Sequence, residues 1–106
     1  MSDLTRLEEQ IMLSVWKLNR NAYGLTIHQH IRKLTRREMA ISGIYFPLER
    51  LVKKRLLDAY QGKPTAVRGG QSKRYYRLTK RGLEQLLKAL EIQQSFWKDL
   101  PDLDHL

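Results

Sequence analysis

The chain has no cysteine in its 106 residues, which excludes a disulfide framework and any metal site built on thiolates. It also has no apolar run approaching the roughly 20 residues that span a bilayer. Its first ten residues, MSDLTRLEEQ, lack the basic and apolar segments of a secretory signal. The expectation is a cytoplasmic protein with no membrane contact. Internal repeats and low-complexity tracts are missing too. Negative charge is scarce: 11 Asp and Glu stand against 20 Lys and Arg, a formal net charge of +9. A polyanionic partner is the first inference from that imbalance. The length suits one domain with a modest core and is short for an enzyme with a deep cleft.

Preorganised catalytic chemistry is not visible either. His28 and His30 are two apart on a helical stretch, so they point to different faces and cannot jointly hold a metal. Asp99, Asp102 and Asp104 cluster near the C-terminus without a histidine or serine in a rigid frame, and read as solvated charge. No catalytic residue, metal site or cofactor is expected.

Local signals lay out the elements that are there. Thr5 with Glu8 three residues on makes a capping box, and Leu7, Ile11, Ser14 or Val15, and Leu18 follow at helical spacing, predicting a first helix over about 5–19. Asn19-Arg20-Asn21 is a turn-forming cluster. Leu25, Ile27, Ile31 and Leu34 give a second helix, from about Tyr23 to Arg36, its apolar stripe, with Arg32, Lys33, Arg36 and Arg37 on much of the rest. A short link that lends Ile41 to a small sheet precedes a third helix. Its core side is Ile44, Leu48, Leu51 and Val52, and its opposite side is Gly43, Phe46, Arg50, Lys53 and Lys54. Pro47 removes one backbone donor there and predicts a kink.

The most telling stretch is RGGQSKRYYRLTKRG, residues 68–82. A strand over Lys73 to Leu78 places Tyr76 and Leu78 inward with Arg74 on their face, and Lys73, Tyr75 and Arg77 outward. Its partner is expected at Leu56 to Tyr60, across a connection too long for a tight hairpin. Thr79 caps a last helix ending near Pro101. That helix carries apolar residues over more than half its circumference. Leu83, Leu86, Leu87, Leu90 and Trp97 form one stripe, and Ala89, Ile92, Phe96 and Leu100 form a second. One small domain cannot cover both, so a partner surface is inferred, most simply a twofold dimer through Leu7, Ile11, Leu83, Leu86, Leu87, Leu90, Ile92, Phe96 and Trp97. A floppy apolar tail is the plain alternative.

Three helices followed by a basic two-stranded hairpin are the layout of a winged helix-turn-helix, in which the third helix enters the major groove and the hairpin flanks it. The fold class is therefore mainly α with a small β-hairpin. Residues 1–78 form the DNA-binding domain, 79–100 a dimerisation helix and 101–106 a tail. The recognition-helix candidates are Ser42, Tyr45, Phe46, Arg50, Lys53 and Lys54, with Arg50 and Lys53 foremost because Arg and Lys pair with guanine O6 and N7. The wing candidates are Arg68, Gly69, Gly70, Lys73, Arg74 and Tyr75, with Arg68 at the Gly-Gly tip suited to a narrow minor groove. Tyr23, at the start of the second helix, is a candidate contact to the DNA backbone. A solvated basic face and a packing tyrosine remain the plain alternatives for these positions.

At these residues the chain resembles the PadR-like transcriptional regulators. LEEQIMLSVWKL looks like the family's first helix, NAYGLTIHQHI like its second, GIYFPLERLVKKRLL like its recognition helix, and RGGQSKRYYRLTKRG like its wing and the start of its last helix. The resemblance implies a homodimeric repressor that binds double-stranded DNA at a palindromic operator and often answers to a ligand. An aromatic small-molecule effector near Trp16 or Trp97 is kept open on that basis. Where the family usually closes the recognition helix with glycine this chain has Arg55, which predicts a different helix end. Two other readings stay open: a non-specific architectural nucleic-acid binder, suggested by charge alone, and a winged-helix protein-interaction module.

Overall fold

The computed structural model describes residues 4–62 and 73–106. The first helix, α1 (Arg6–Leu18), starts at a reciprocal capping box: the Glu8 N–H donates to Thr5 Oγ1 at 3.0 Å and the Thr5 N–H to Glu8 Oε1 at 2.8 Å. Its core side is Ile11, Met12 and Val15, all fully buried. A 3₁₀ turn at Asn19–Asn21 leads into α2 (Gly24–Thr35). The buried arc of α2 is Gly24, Ile27, His28 and Ile31. Leu25 and Leu34, expected in its core stripe, are instead exposed, because the arc is narrower and is completed by a glycine and a histidine. The His28 ring N–H donates to the Met39 carbonyl at 2.5 Å and ties α2 to the loop that follows.

The third helix, α3 (Ser42–Lys53), buries Ile44, Pro47, Leu48 and Leu51. It continues through Pro47 without interruption. Ile41 is not a strand residue: it has helical dihedrals, and the Ile44 N–H bonds back to its carbonyl at 3.0 Å as α3 begins. The third sheet partner comes from Ala22 and Tyr23. The Tyr76 N–H donates to the Ala22 carbonyl at 2.9 Å, and Tyr23 bridges antiparallel to Tyr75.

The end of α3 also differs from expectation. Arg55 adopts φ 61°, and the Leu56 N–H reaches the Leu51 carbonyl at 3.0 Å while the Arg55 N–H reaches that of Val52 at 2.9 Å. These bonds form a full Schellman motif. The helix therefore closes left-handed, as a glycine would close it, with arginine bearing the strain.

Strands β1 (Leu57–Gln61) and β2 (Arg74–Leu78) pair antiparallel with Leu57 opposite Leu78, Ala59 opposite Tyr76 and Gln61 opposite Arg74. Leu57 and Tyr76 point into the core. Thr79 caps α4 (Lys80–Trp97): its Oγ1 accepts from the Gly82 N–H at 2.9 Å and donates to the Arg55 carbonyl at 2.7 Å. Gly82 lets α4 lie directly on that turn, since a Cβ there would stand 2.1 Å from the Leu56 carbonyl oxygen. The helix stops at Trp97, so Leu100 lies beyond it on irregular chain. The arrangement is a winged helix-turn-helix with an additional C-terminal helix.

Candidate nucleic-acid interface

On α3, the residues on the side away from the core are Ser42, Tyr45, Phe46, Glu49 and Lys53, all exposed, with Arg50 at the margin. Phe46 is 75% exposed, far more than packing requires. Tyr45 lies over the start of α2, where a Cβ on Gly24 would stand 2.6 Å from its ring. The absence of a side chain at Gly24 is what seats that ring. Lys53 is exposed at the end of the helix and Lys54 is half-buried as its C-cap.

Two adjacent residues of opposite charge anchor α3 to its neighbours on either side. Arg50 reaches back to α1, where its Nε donates to Glu8 Oε2 at 3.0 Å, and its guanidinium lies 5.5 Å from the centre of the Phe46 ring. Glu49 reaches the hairpin and accepts side-on from one edge of Arg74, from Nε at 3.1 Å and Nη2 at 2.9 Å, and from the Tyr76 hydroxyl at 2.8 Å. Arg74, counted among the wing contacts, is thus engaged with α3.

Both carboxylates sit below their ordinary range. Burial pushes Glu8 upward, but its bonds to the Thr5 amide and to Arg50 outweigh that cost. Desolvation likewise opposes ionisation of Glu49, and the hydrogen bonds from Arg74 and Tyr76 overcome it. Burial and the neighbouring Glu49 carboxylate push the Tyr76 phenol up to about 12.

The outer face of the sheet is aromatic and cationic. Tyr23, Tyr75 and Tyr60 line up across it, with ring centres 5.4 Å apart edge to face and then 5.7 Å apart stacked. Lys73 Nζ lies 4.4 Å from the Tyr23 ring centre and donates to its hydroxyl at 3.3 Å. Tyr23 and Tyr75 are therefore packed side chains that hold Lys73 beside the N-terminus of α2. Arg68, Gly69 and Gly70 lie outside the described residues.

The expected partner surface is divided. Ile11 and Leu86 are core residues, 0% and 8% exposed, and so contribute no free surface; Leu7 is half-buried against the same core. They were expected at an interface because they share helical stripes with residues that are open. Leu83, Leu87, Leu90, Ile92, Phe96 and Trp97 are all exposed. The first three border a groove of about 400 Å³ with Leu13 and Trp16 of α1. Gln93 of α4 donates to Glu9 of α1 at 3.1 Å beneath them. Among the described residues, no group of three His, Cys, Asp or Glu side chains could hold a metal ion, and no helix is long and apolar enough to cross a membrane.

The ion pairs through Glu8 and Glu49 were not among the expected site residues. Glu8 has a sequence signal only as part of a cap, and Glu49 only as a flank of the outward arc of α3 beside Ser42 and Tyr45.

The model of the PadR-like family of transcriptional regulators matches residues 12–88. The chain belongs to that family. The PadR-like fold is seen again in a PadR-like transcription factor from Bacteroides fragilis, 29% identical over 85% of this chain and 82% of that one, with a TM-score of 0.72. A transcriptional regulator from Clostridium thermocellum is 25% identical, covers 86% of this chain and 84% of its own, and has a TM-score of 0.68. RosR of H. salinarum shares the fold at 24% identity, with 94% of this chain and 83% of that chain covered and a TM-score of 0.69. Among curated proteins no sequence matches. The PadR-like family consists of transcriptional regulators, so this chain carries a DNA-binding regulatory fold and is not an enzyme.

Proposed function

We propose that the chain is a cytoplasmic, homodimeric repressor that reads a palindromic operator with one α3 per half-site. The observation that carries the reading is that α3, with Phe46 and Lys53 on its exposed face and Arg50 at the margin, is bonded to the hairpin through Glu49 and Arg74, while Lys73 stands on the outer face of the sheet against Tyr23. A helix and a hairpin joined in this way hold base-reading groups and phosphate-binding cations in a fixed relation. The net charge of +9 supplies the long-range attraction. The exposed apolar residues of α4 support the dimer, because they form the contiguous kind of patch that a monomer rarely leaves open.

The test is selection of bound duplexes from a random pool, followed by binding of the enriched duplex and a scrambled control across a salt series. A palindromic motif with tenfold or greater preference is expected, on a steep salt dependence. Equal binding of both duplexes would point instead to non-specific coating of nucleic acid, the reading that charge alone favours. A flat aromatic effector seated against the exposed Trp16 or Trp97 belongs to the same proposal. Quenching of tryptophan fluorescence by a panel of aromatic compounds is expected, and its absence would remove the effector from the scheme.

A further inference from the structure

We infer that Glu8, on α1, is a positioning residue for base reading: it fixes the guanidinium of Arg50 in the orientation that meets the base edge. The inference rests on the DNA-reading function proposed above. Glu8 is 2% exposed, so no part of it is available to DNA. Its Oε1 completes the α1 cap with the Thr5 amide at 2.8 Å, which is all that a capping box asks of it, and glutamine serves that role as well as glutamate. Its Oε2 is turned across to α3 and takes the Arg50 Nε at 3.0 Å.

Stability alone does not account for that second contact: desolvation offsets much of the Coulombic gain of an ion pair taken out of water, which leaves only the modest stability by which Glu8 stays ionised below its ordinary range. What the contact does supply is geometry. A guanidinium is a planar fork of five donors. With Nε committed to Glu8 and one face against Phe46, 5.5 Å away, both the edge and the plane of Arg50 are set before DNA arrives. A bidentate contact to guanine O6 and N7 must then be made through the terminal amino groups. The rotamer freedom that a loose arginine would lose on the duplex is already gone.

The experiment compares the full-length wild type, Glu8→Gln, Arg50→Lys and the double variant on the duplex selected by the wild type, on its single-base-pair variants and on a scrambled control. Glu8→Gln is expected to keep the salt slope and the scrambled-duplex affinity of the wild type. Its preference for the selected duplex should fall about tenfold. That loss should fall at the same base pair of each half-site whose preference Arg50→Lys abolishes, and the double variant should be no worse than Arg50→Lys alone. A purely structural role for Glu8 lowers affinity for every duplex alike, and that result overturns the inference, as does an unchanged preference. If Glu8→Gln does not fold, Glu8→Asp keeps the charge but shortens the reach by one methylene, and the same relaxation at the same base pair is expected. A wild type that binds selected and scrambled duplexes equally overturns the DNA-reading function itself, and the role of Glu8 falls with it.

Discussion

Arg55, like Arg36, carries local strain, a left-handed backbone on a side chain that disfavours it. Because the Schellman bonds from Arg55 and Leu56 need that conformation, the strain cannot relax without opening the end of α3. Arg55→Gly relieves it, and although glycine also loosens the unfolded chain, stability to urea should rise by about 0.5–1 kcal/mol. Unchanged stability would mean that the motif bears no such cost. The two carboxylates on which α3 is hung give the fold a pH dependence of definite sign. Glu8 and Glu49 are held below the ordinary value of 4.5, so the stability they contribute is complete above that pH and is lost as pH falls through their lowered folded values. Tyr76 acts at the other end: its folded value is raised from 10.0 to about 12, so the unfolded chain ionises first and stability declines as pH rises from 10 toward 12. A melting-temperature profile should therefore fall on both flanks. Tyr76→Phe should flatten the alkaline flank and, because the lost hydroxyl also donated to Glu49, make the acid flank shallower as well.

At the scale of elements, Glu49, Arg74 and Tyr76 act as a strap between α3 and β2. Breaking the strap from either side removes the same constraint, so Glu49→Gln and Arg74→Gln should weaken specific binding to similar extents and should not add when combined. The salt slope distinguishes a strap from a phosphate contact. A lost phosphate contact reduces the slope by about 1, whereas loss of the strap leaves it unchanged. A reduced slope in Arg74→Gln would return that residue to the DNA surface. The strap also marks the boundary of what the sequence makes legible. Thr5 with Glu8, Thr79 with Gly82, the apolar spacing of α1 and α3 and the inward place of Tyr76 are all set within a few residues, and each can be read from the chain. The links from Glu8 to Arg50 and from Glu49 to Arg74 join residues 42 and 25 positions apart, and only packing decides them. Ile41 looked like a strand residue because it is β-branched and follows a break. The backbone groups of β2 were instead met by Ala22 and Tyr23, which the 3₁₀ turn brings alongside. Leu25 and Leu34 share the helical period but not the buried arc, since Gly24 and His28 occupy it without a hydrophobic signature.

For the whole molecule the question is what the far part of α4 is for. The molecule measures 59 × 30 × 20 Å, and from Leu90 onward α4 is exposed at every position but Gln93. Burying one such side chain against a partner is worth about 1.5–3 kcal/mol, so a twofold contact using several from each copy can offset the cost of association. The same contact would set the separation of the two α3 helices, which must match half-sites about 34–36 Å apart on the duplex. Charge placed on this face should therefore act on DNA binding without touching DNA. Leu87→Glu combined with Phe96→Glu removes two exposed apolar side chains, 55% and 82% exposed, and leaves the buried Leu86 untouched. The variant should melt cooperatively near the wild-type temperature yet sediment as a monomer. Its affinity for a full palindrome should fall to that for a single half-site, because the second α3 is no longer tethered to the first. The salt slope should drop to about half, since only one set of phosphate contacts is then made per binding event. Monomeric sedimentation together with full affinity and an unchanged slope would separate dimerisation from DNA reading. A variant that stays dimeric would move the interface away from α4.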